Sequence, residues 1–285
     1  MTTNDGFVII DKPAGITSHD VVAKLRKKFG TKRVGHAGTL DPMATGVLVV
    51  GINNATKFLQ YITEGKKSYL ATIRLGQSTT TDDREGEVIE SRDWRSATDD
   101  AIRSFLVSQV GTILQKPSTV SAIKIAGERA YDLVRQGKEV DIPAREVTIH
   151  SLEVNSIVRG EFLDVEITVE CSAGTYIRSI ARDLGEALHV GGHLIALRRT
   201  EVAPFYEKDS QSIEECEIRP LVASISQIMP TRSIDLTEKS ELSFGRALNK
   251  SDFEGPGVAI SPDGTVAAII ENRDYGAQPI AVFNS

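Results

Sequence analysis

The chain has 285 residues, 40% hydrophobic and 25% charged, which excludes fibrous and disordered classes and leaves room for a full core and a small second domain. Its formal net charge is −6, and its two cysteines, Cys171 and Cys216, have neither metal-ligand nor redox spacing, so reduced thiols are expected. The start lacks the basic and apolar regions of a signal peptide, and no apolar run approaches the ~18 residues of a membrane span, which predicts a cytoplasmic protein without membrane contact.

Taken in chain order, the elements predict an α/β (α+β) body. Residues 8–10 read as a short strand and Asp11-Lys12-Pro13-Ala14-Gly15 as turn chemistry. A helix follows, capped by Thr17 or Ser18, striped by Val21, Val22, Leu25 and Phe29, and ended by Gly30. Residues 34–46 form a tight, glycine-bracketed turn ahead of a buried strand at 46–52, and 55–62 look helical. From 67 to 75, Tyr69, Ala71, Ile73 and Leu75 alternate with Leu70, Thr72 and Arg74, so Tyr69 faces one side of a half-buried strand. A polar loop at 78–86 and a helix at 99–107 precede an excursion from the sheet at about 115–146, where Pro117, Gly127, Gly137 and Pro143 surround a short helical pattern at 129–136.

Strands at 147–157 and 163–171 then form a hairpin through Arg159-Gly160. Gly174 opens a helix with Ile177, Ile180, Ala181, Leu184 and Leu188 inward, which leaves Arg178 and Arg182 on a flanking side. Arg198 and Arg199 fall in a strand at 195–202. Composition shifts at Met229-Pro230, and short apolar runs at 258–260, 266–270 and 279–283 predict a small β domain. Roughly 55 residues is near the lower limit for an independent core, so this part should dock on the body.

The net charge conceals an uneven distribution. Residues 1–76 hold eleven Lys or Arg against five Asp or Glu, whereas 82–100 hold three against eight and 201–241 hold four against nine. The basic excess peaks at 24–33, six positive charges with no acid, and offers an approach for phosphates to the turn that follows. In that turn Pro42 disfavours the helical region for Asp41, and Gly35, Gly38 and Gly46 permit close approaches. A carboxylate held so stiffly can act as a nucleophile. The chain has no P-loop, G-x-G-x-x-G, H-E-x-x-H, C-x-x-C or G-x-S-x-G, and its five histidines show no ligand spacing, so no metal is expected. His36 stands apart because it shares the Asp41 turn.

Several motifs, in order and nearly end to end, resemble the TruB-type tRNA pseudouridine synthases. They are Asp11-Lys12-Pro13 with Gly15 and Thr17-Ser18; Gly35-His36-Ala37-Gly38-Thr39-Leu40-Asp41-Pro42 with Ala44-Thr45-Gly46; and Lys67-Ser68-Tyr69. Pro117-Ser118, Ser121-Ala122-Ile123-Lys124, Gly127, Tyr131 and Arg135-Gln136-Gly137 are similar to the family's RNA-gripping insertion. Gly174-Thr175-Tyr176-Ile177-Arg178-Ser179 with Asp183-Leu184-Gly185 resembles its arginine motif, and Leu197-Arg198-Arg199-Thr200 closes the catalytic part.

The resemblance implies a catalytic domain at 1–229, with a mixed, largely antiparallel sheet flanked by helices, and a PUA-like β-barrel RNA-binding domain at 230–285. It implies isomerisation of the uridine at position 55 in the TΨC loop of tRNA, by a monomer that needs no cofactor and no protein partner. Asp41 would be the nucleophile, Arg178 would pair with it, and Tyr69 would pack on the base and serve as a candidate base for a sugar proton. Leu197 would wall the uracil pocket, Asp83 falls on a family acidic position, His36 would fill the space left by the flipped base, and Lys12 would hold phosphate. Addition of Asp41 to C1′, addition to the uracil ring and elimination to a glycal are all compatible with these residues. A noncatalytic tRNA-binding or folding protein of the same fold is the competing reading. A sugar hydrolase fits less well, for want of a second carboxylate motif.

Overall fold

The structure, a computed structural model, describes residues 5–118, 124–125, 128–129 and 142–283, the short pieces at 124–129 by backbone only. The helical pattern read at 129–136, and with it most of the expected gripping insertion, lies outside the described residues.

Continuous apolar runs near the start become strands buried on both faces. β1 (Gly6–Lys12) is followed by α1 (Ser18–Phe29), where Thr17 forms a capping box with Asp20 and Gly30 ends the helix at φ 63°. β2 (Val34–Ala37) pairs antiparallel with β3 (Thr45–Ile52), which also pairs antiparallel with β1. The stretch expected as one turn is therefore a strand carrying His36 and a connection, residues 38–44, carrying Asp41. Four residues that include Gly35 and His36 are too short and too weakly strand-forming to announce themselves; pairing with β3 makes the strand.

A 3-10 turn (Asn53–Phe58) leads into α2 (Leu59–Thr63), so the segment expected as one helix is divided. β4 (Lys67–Leu75) alternates buried and half-buried residues along its length. β5 (Gln77–Thr79) pairs with β6 (Val88–Ser91), which makes the expected polar loop the connection of a hairpin. After α3 (Asp99–Ser108) and β7 (Gly111–Gln115) come the short paired strands β8 (Lys124–Ile125) and β9 (Glu128–Arg129). The long hairpin β10 (Arg145–Arg159) and β11 (Leu163–Cys171) leads to α4 (Ile177–Ala187), which starts three residues beyond Gly174. β12 (Gly192–Val202), β13 (Phe205–Tyr206), β14 (Arg219–Pro220) and α5 (Leu221–Ile228) complete the body.

The main sheet runs β14-β1-β3-β12-β4-β11-β10-β7, with β2 on β3 and β13 on β12. Its pairs are antiparallel except at β3 and β12, which meet in parallel at Thr45 with Arg198 and Gly46 with Arg199. This seam joins the two halves of the sheet and brings the connection before β3 against β12 and β4.

The C-terminal part has β15 (Thr231–Ser233), α6 (Leu236–Ser243), β16 (Pro256–Ile260), β17 (Val266–Arg273) and β18 (Gly276–Val282), its strands forming a second sheet in that order. One apolar cluster spans both parts, with Phe7, Phe58 and Val202 from the body and Val258, Ile269 and Phe283 from the second sheet. The rings of Phe58 and Phe283 stack at 5.5 Å.

Candidate active site

Four backbone anchors fix the Asp41 connection before any substrate arrives. The Ser18 hydroxyl accepts from Leu40 N at 2.9 Å and donates to Leu40 O at 3.1 Å, and Gly15 N donates to Pro42 O at 2.8 Å. Lys12 Nζ donates to Pro13 O at 2.9 Å, Ile16 O at 2.7 Å and Pro42 O at 3.3 Å. Arg199 donates through Nη2 to Gly38 O at 3.0 Å, through Nη1 to Thr39 O at 3.5 Å and through Nε to Val47 O at 2.8 Å. Gly46 permits the last of these approaches: at φ 97°, a Cβ there would lie 2.2 Å from Arg199 O.

Lys12, expected to hold phosphate, has partners within the protein. Its side chain is fully buried, its ammonium is engaged by three carbonyls, and burial lowers its pKa to about 8. These contacts tie the turn after β1 to the Asp41 connection. Within the basic run, Arg26 donates to Val34 O, and Lys28 donates to Ile213 O and Glu214 O, so two of the six cations also secure the fold.

Arg178, the second residue of α4, is 4% exposed rather than on a flanking side, because its partners neutralise it. Nε and Nη2 meet Asp41 Oδ2 and Oδ1 at 3.0 and 3.3 Å, and Nη1 lies 3.4 Å from Asp83 Oδ2 and donates to Thr81 O at 2.9 Å. A two-pronged guanidinium–carboxylate contact fixes orientation as well as charge. Asp83 is held in turn by Thr81 Oγ1 at 2.6 Å and Glu85 N at 3.0 Å. Asp41 keeps 34% of its side-chain surface open, and burial of the rest pushes its carboxyl above the usual range, Arg178 opposing the shift and Asp83 adding to it.

A cavity of about 320 Å³ opens on Asp41. That lies at the lower end of the range for small-ligand sites, ~300–1,000 Å³. Asp41, Tyr69, Arg178 and Leu197 line it together, and Asp41 is the only carboxylate among its described lining residues. Asp83 stands behind Arg178, outside the lining. His36 also lies outside it, on β2, its ring edge-on to His19 at 5.5 Å. Burial, reinforced by the His19 charge, lowers the His36 pKa to about 4.

Tyr69 projects from β4 directly across from Arg199 on β12. Burial raises its phenol pKa, with Arg199 pulling the other way, so the hydroxyl is protonated at neutral pH. Lys67, in phase with Tyr69, donates to Thr63 O at 2.7 Å and Gly65 O at 2.8 Å, and burial lowers its pKa to about 8. The backbone of Tyr176, the residue before α4, is clamped by Gln115, which donates to its O at 3.1 Å and accepts from its N at 2.8 Å.

Lys67, Arg199, Gln115 and Arg145 were not assigned roles from the sequence. For Lys67 and Arg199 a signal existed: each shares strand parity with an inward residue, Tyr69 and Leu197, and a charged group at such a position needs a buried partner. Gln115 and Arg145 carried no such signal, since they meet only through the β7–β10 ladder.

The mixed sheet with its arginine-held carboxylate belongs to a chain whose family models and curated relatives are pseudouridine synthases. In fold the chain matches a solved H/ACA RNP bound to a substrate RNA containing 2′-deoxyuridine, with a TM-score of 0.71 at 22% identity, covering 99% of this chain and 86% of the other. The model of the TruB family pseudouridylate synthase N-terminal domain matches residues 26–177, the tRNA pseudouridylate synthase B C-terminal domain matches 178–222, and the tRNA pseudouridine synthase II C-terminal model matches 229–284. The tRNA pseudouridine synthase B of Arthrobacter sp. (strain FB24) is 49% identical over 294 residues, covering 98% of this chain and 96% of the relative. That of Corynebacterium glutamicum (strain ATCC 13032) is 52% identical over 275 residues, covering 94% and 92%. The chain belongs to the TruB family of pseudouridylate synthases.

Proposed function

We propose that the chain converts uridine to pseudouridine at position 55 in the TΨC loop of tRNA, with Asp41 as the nucleophile on a flipped-out uridine. The observation that carries the reading is the single cavity carboxylate held by Arg178 with a third of its surface open to a ligand. The curated relatives named tRNA pseudouridine synthase B support the tRNA substrate, and the motif resemblance supports the position.

The chemistry asks little else of the protein. The N1–C1′ bond breaks, the uracil turns while bound, C5 joins C1′, and the C5 proton is replaced by one on N1, so the atoms balance without a co-reactant. A carboxylate stabilises or traps the electron-poor ribose carbon, as in retaining glycosidases. Sugar hydrolases usually use a second carboxylate at the cavity, and among the described residues Asp41 is the only one that lines it. Tyr69 packs on the base and is a candidate base for a sugar proton, Leu197 walls the pocket, and His36 fills the space that the flipped base leaves in the RNA. Within the 24–33 run, Lys24, Lys27, Lys32 and Arg33 are exposed and hold backbone phosphates.

Unmodified tRNA carrying 5-tritiated uridine tests this. The chain should release tritium without loss of base, with pseudouridine mapped to position 55 by carbodiimide-blocked primer extension. Asp41→Asn should abolish release and keep RNA binding. Tight tRNA binding with no release by the wild type would make the chain a binding protein that keeps the fold, and near-normal turnover by Asp41→Asn would remove Asp41 as the nucleophile.

A further inference from the structure

Among the described residues four cations line the cavity, all of them in contact with the protein. Arg178 faces two carboxylates, while Arg199 and Lys67 donate to backbone carbonyls. Arg145 differs. It opens β10 opposite Gln115 of β7, so it sits where the chain leaves and rejoins the sheet around residues 116–144. Its guanidinium lies 4.8 Å from the Tyr176 ring centroid and donates through Nη2 to Gly174 O at 2.7 Å. Its Nε is buried without a partner, and among the described residues no carboxylate neutralises it.

A half-buried guanidinium with one unmet donor at a cavity wall leaves bonding capacity that a ligand's acceptor can meet. An anionic acceptor is the strongest partner for it, because it matches the charge as well as the donor geometry. Beside Arg145, α4 begins without a side-chain cap, and its first residues line the same cavity. A helix start adds positive potential at that wall.

We propose that Arg145 binds a phosphate group flanking the flipped nucleotide, an inference that rests on RNA being the substrate. Arg145 is then the cavity's substrate anchor, set on the ladder that begins and ends the 116–144 segment, and the arginine stacked on Tyr176 couples the RNA backbone to the start of the helix that carries Arg178.

Binding to the wild type and to Arg145→Gln is measured by fluorescence anisotropy with a TΨC stem-loop, either all-phosphodiester or bearing a neutral methylphosphonate on the 5′ or the 3′ side of the target uridine. Neutralising the contacted phosphate should weaken wild-type binding about tenfold, as expected for a charge-assisted contact. Arg145→Gln should weaken binding of the natural RNA by a similar factor and lose little more with that methylphosphonate. Its log–log salt slope should be shallower by roughly 0.7. Arg145→Lys should recover part of the loss. Equal, additive losses for both proteins at both positions would overturn the proposal and leave Arg145 a clamp on Gly174 and Tyr176. A wild type that releases no tritium but shows the coupled loss would sink the isomerase reading while the phosphate contact stands; a wild type that does not bind the stem-loop overturns both.

Discussion

Arg178 decides what Asp41 can do. Burial alone would favour the protonated acid, and the guanidinium works against that while leaving part of the carboxylate open. Tyr69 shares the cavity, and its hydroxyl is the group a conservative change removes: Tyr69→Phe should lower kcat by at least ~100-fold while RNA affinity is unchanged, as for loss of a proton-transfer group. Single-turnover rates beside binding isotherms check this, and a rate near wild type would reduce Tyr69 to a packing surface. His36 makes a separate prediction. Its folded pKa of about 4 lies below the ordinary 6.5, so the imidazole is neutral in any assay near pH 7. A depressed value in the folded state means this contribution to stability is present above pH ~6.5 and is lost as pH falls through about 4. Histidine NMR should show one imidazole titrating near 4 and missing in His36→Asn; a midpoint near 6.5 for His36 would contradict its burial.

At the scale of elements, the parallel seam between β3 and β12 builds the site. It places Gly46 against Arg199, and Arg199 against the carbonyls of Gly38 and Thr39. Gly46→Ala would place a Cβ on the Arg199 carbonyl at a positive φ, and should cost roughly 2–4 kcal/mol in urea unfolding. Arg199→Lys keeps charge but loses the fork that spans three carbonyls, so amide exchange at residues 38–44 should accelerate and kcat should fall with little change in RNA affinity. Exchange unchanged in that segment would mean that Ser18, Gly15 and Lys12 suffice to hold it. The same element level explains what pattern reading reached. Strict alternation over 67–75 and the Thr17 and Gly30 signals around α1 were legible because each is written within one local period. β2 and β5 were not, since short strands exist only by virtue of the neighbours they pair with.

Across the whole molecule, the second sheet docks through a core shared with the body rather than through a polar interface. Phe283 stacks on Phe58 and lies under Lys57, whose Nζ is 4.2 Å from its ring centroid and donates to Val282 O at 3.1 Å. Phe283→Ala should therefore cost about 3 kcal/mol, and the wild type should melt in one calorimetric transition. Two resolved transitions, with the mutation affecting only one, would show that the parts fold separately.

The linear order of residues determined that one acid sits on a proline-stiffened connection, that Tyr69 shares one side of its strand with Ala71, Ile73 and Leu75, and that a basic run precedes them, because each of these is a matter of neighbours within a few positions. Only the tertiary structure decided which cations are free to meet a ligand. Lys12 and Arg145 look equally available in the sequence, yet Lys12 is enclosed by three carbonyls from two turns, while Arg145 stands at the cavity with a donor unmet. The reason is physical: a charge's availability depends on the acceptors that distant backbone brings to it, and strand pairing across the sheet sets that.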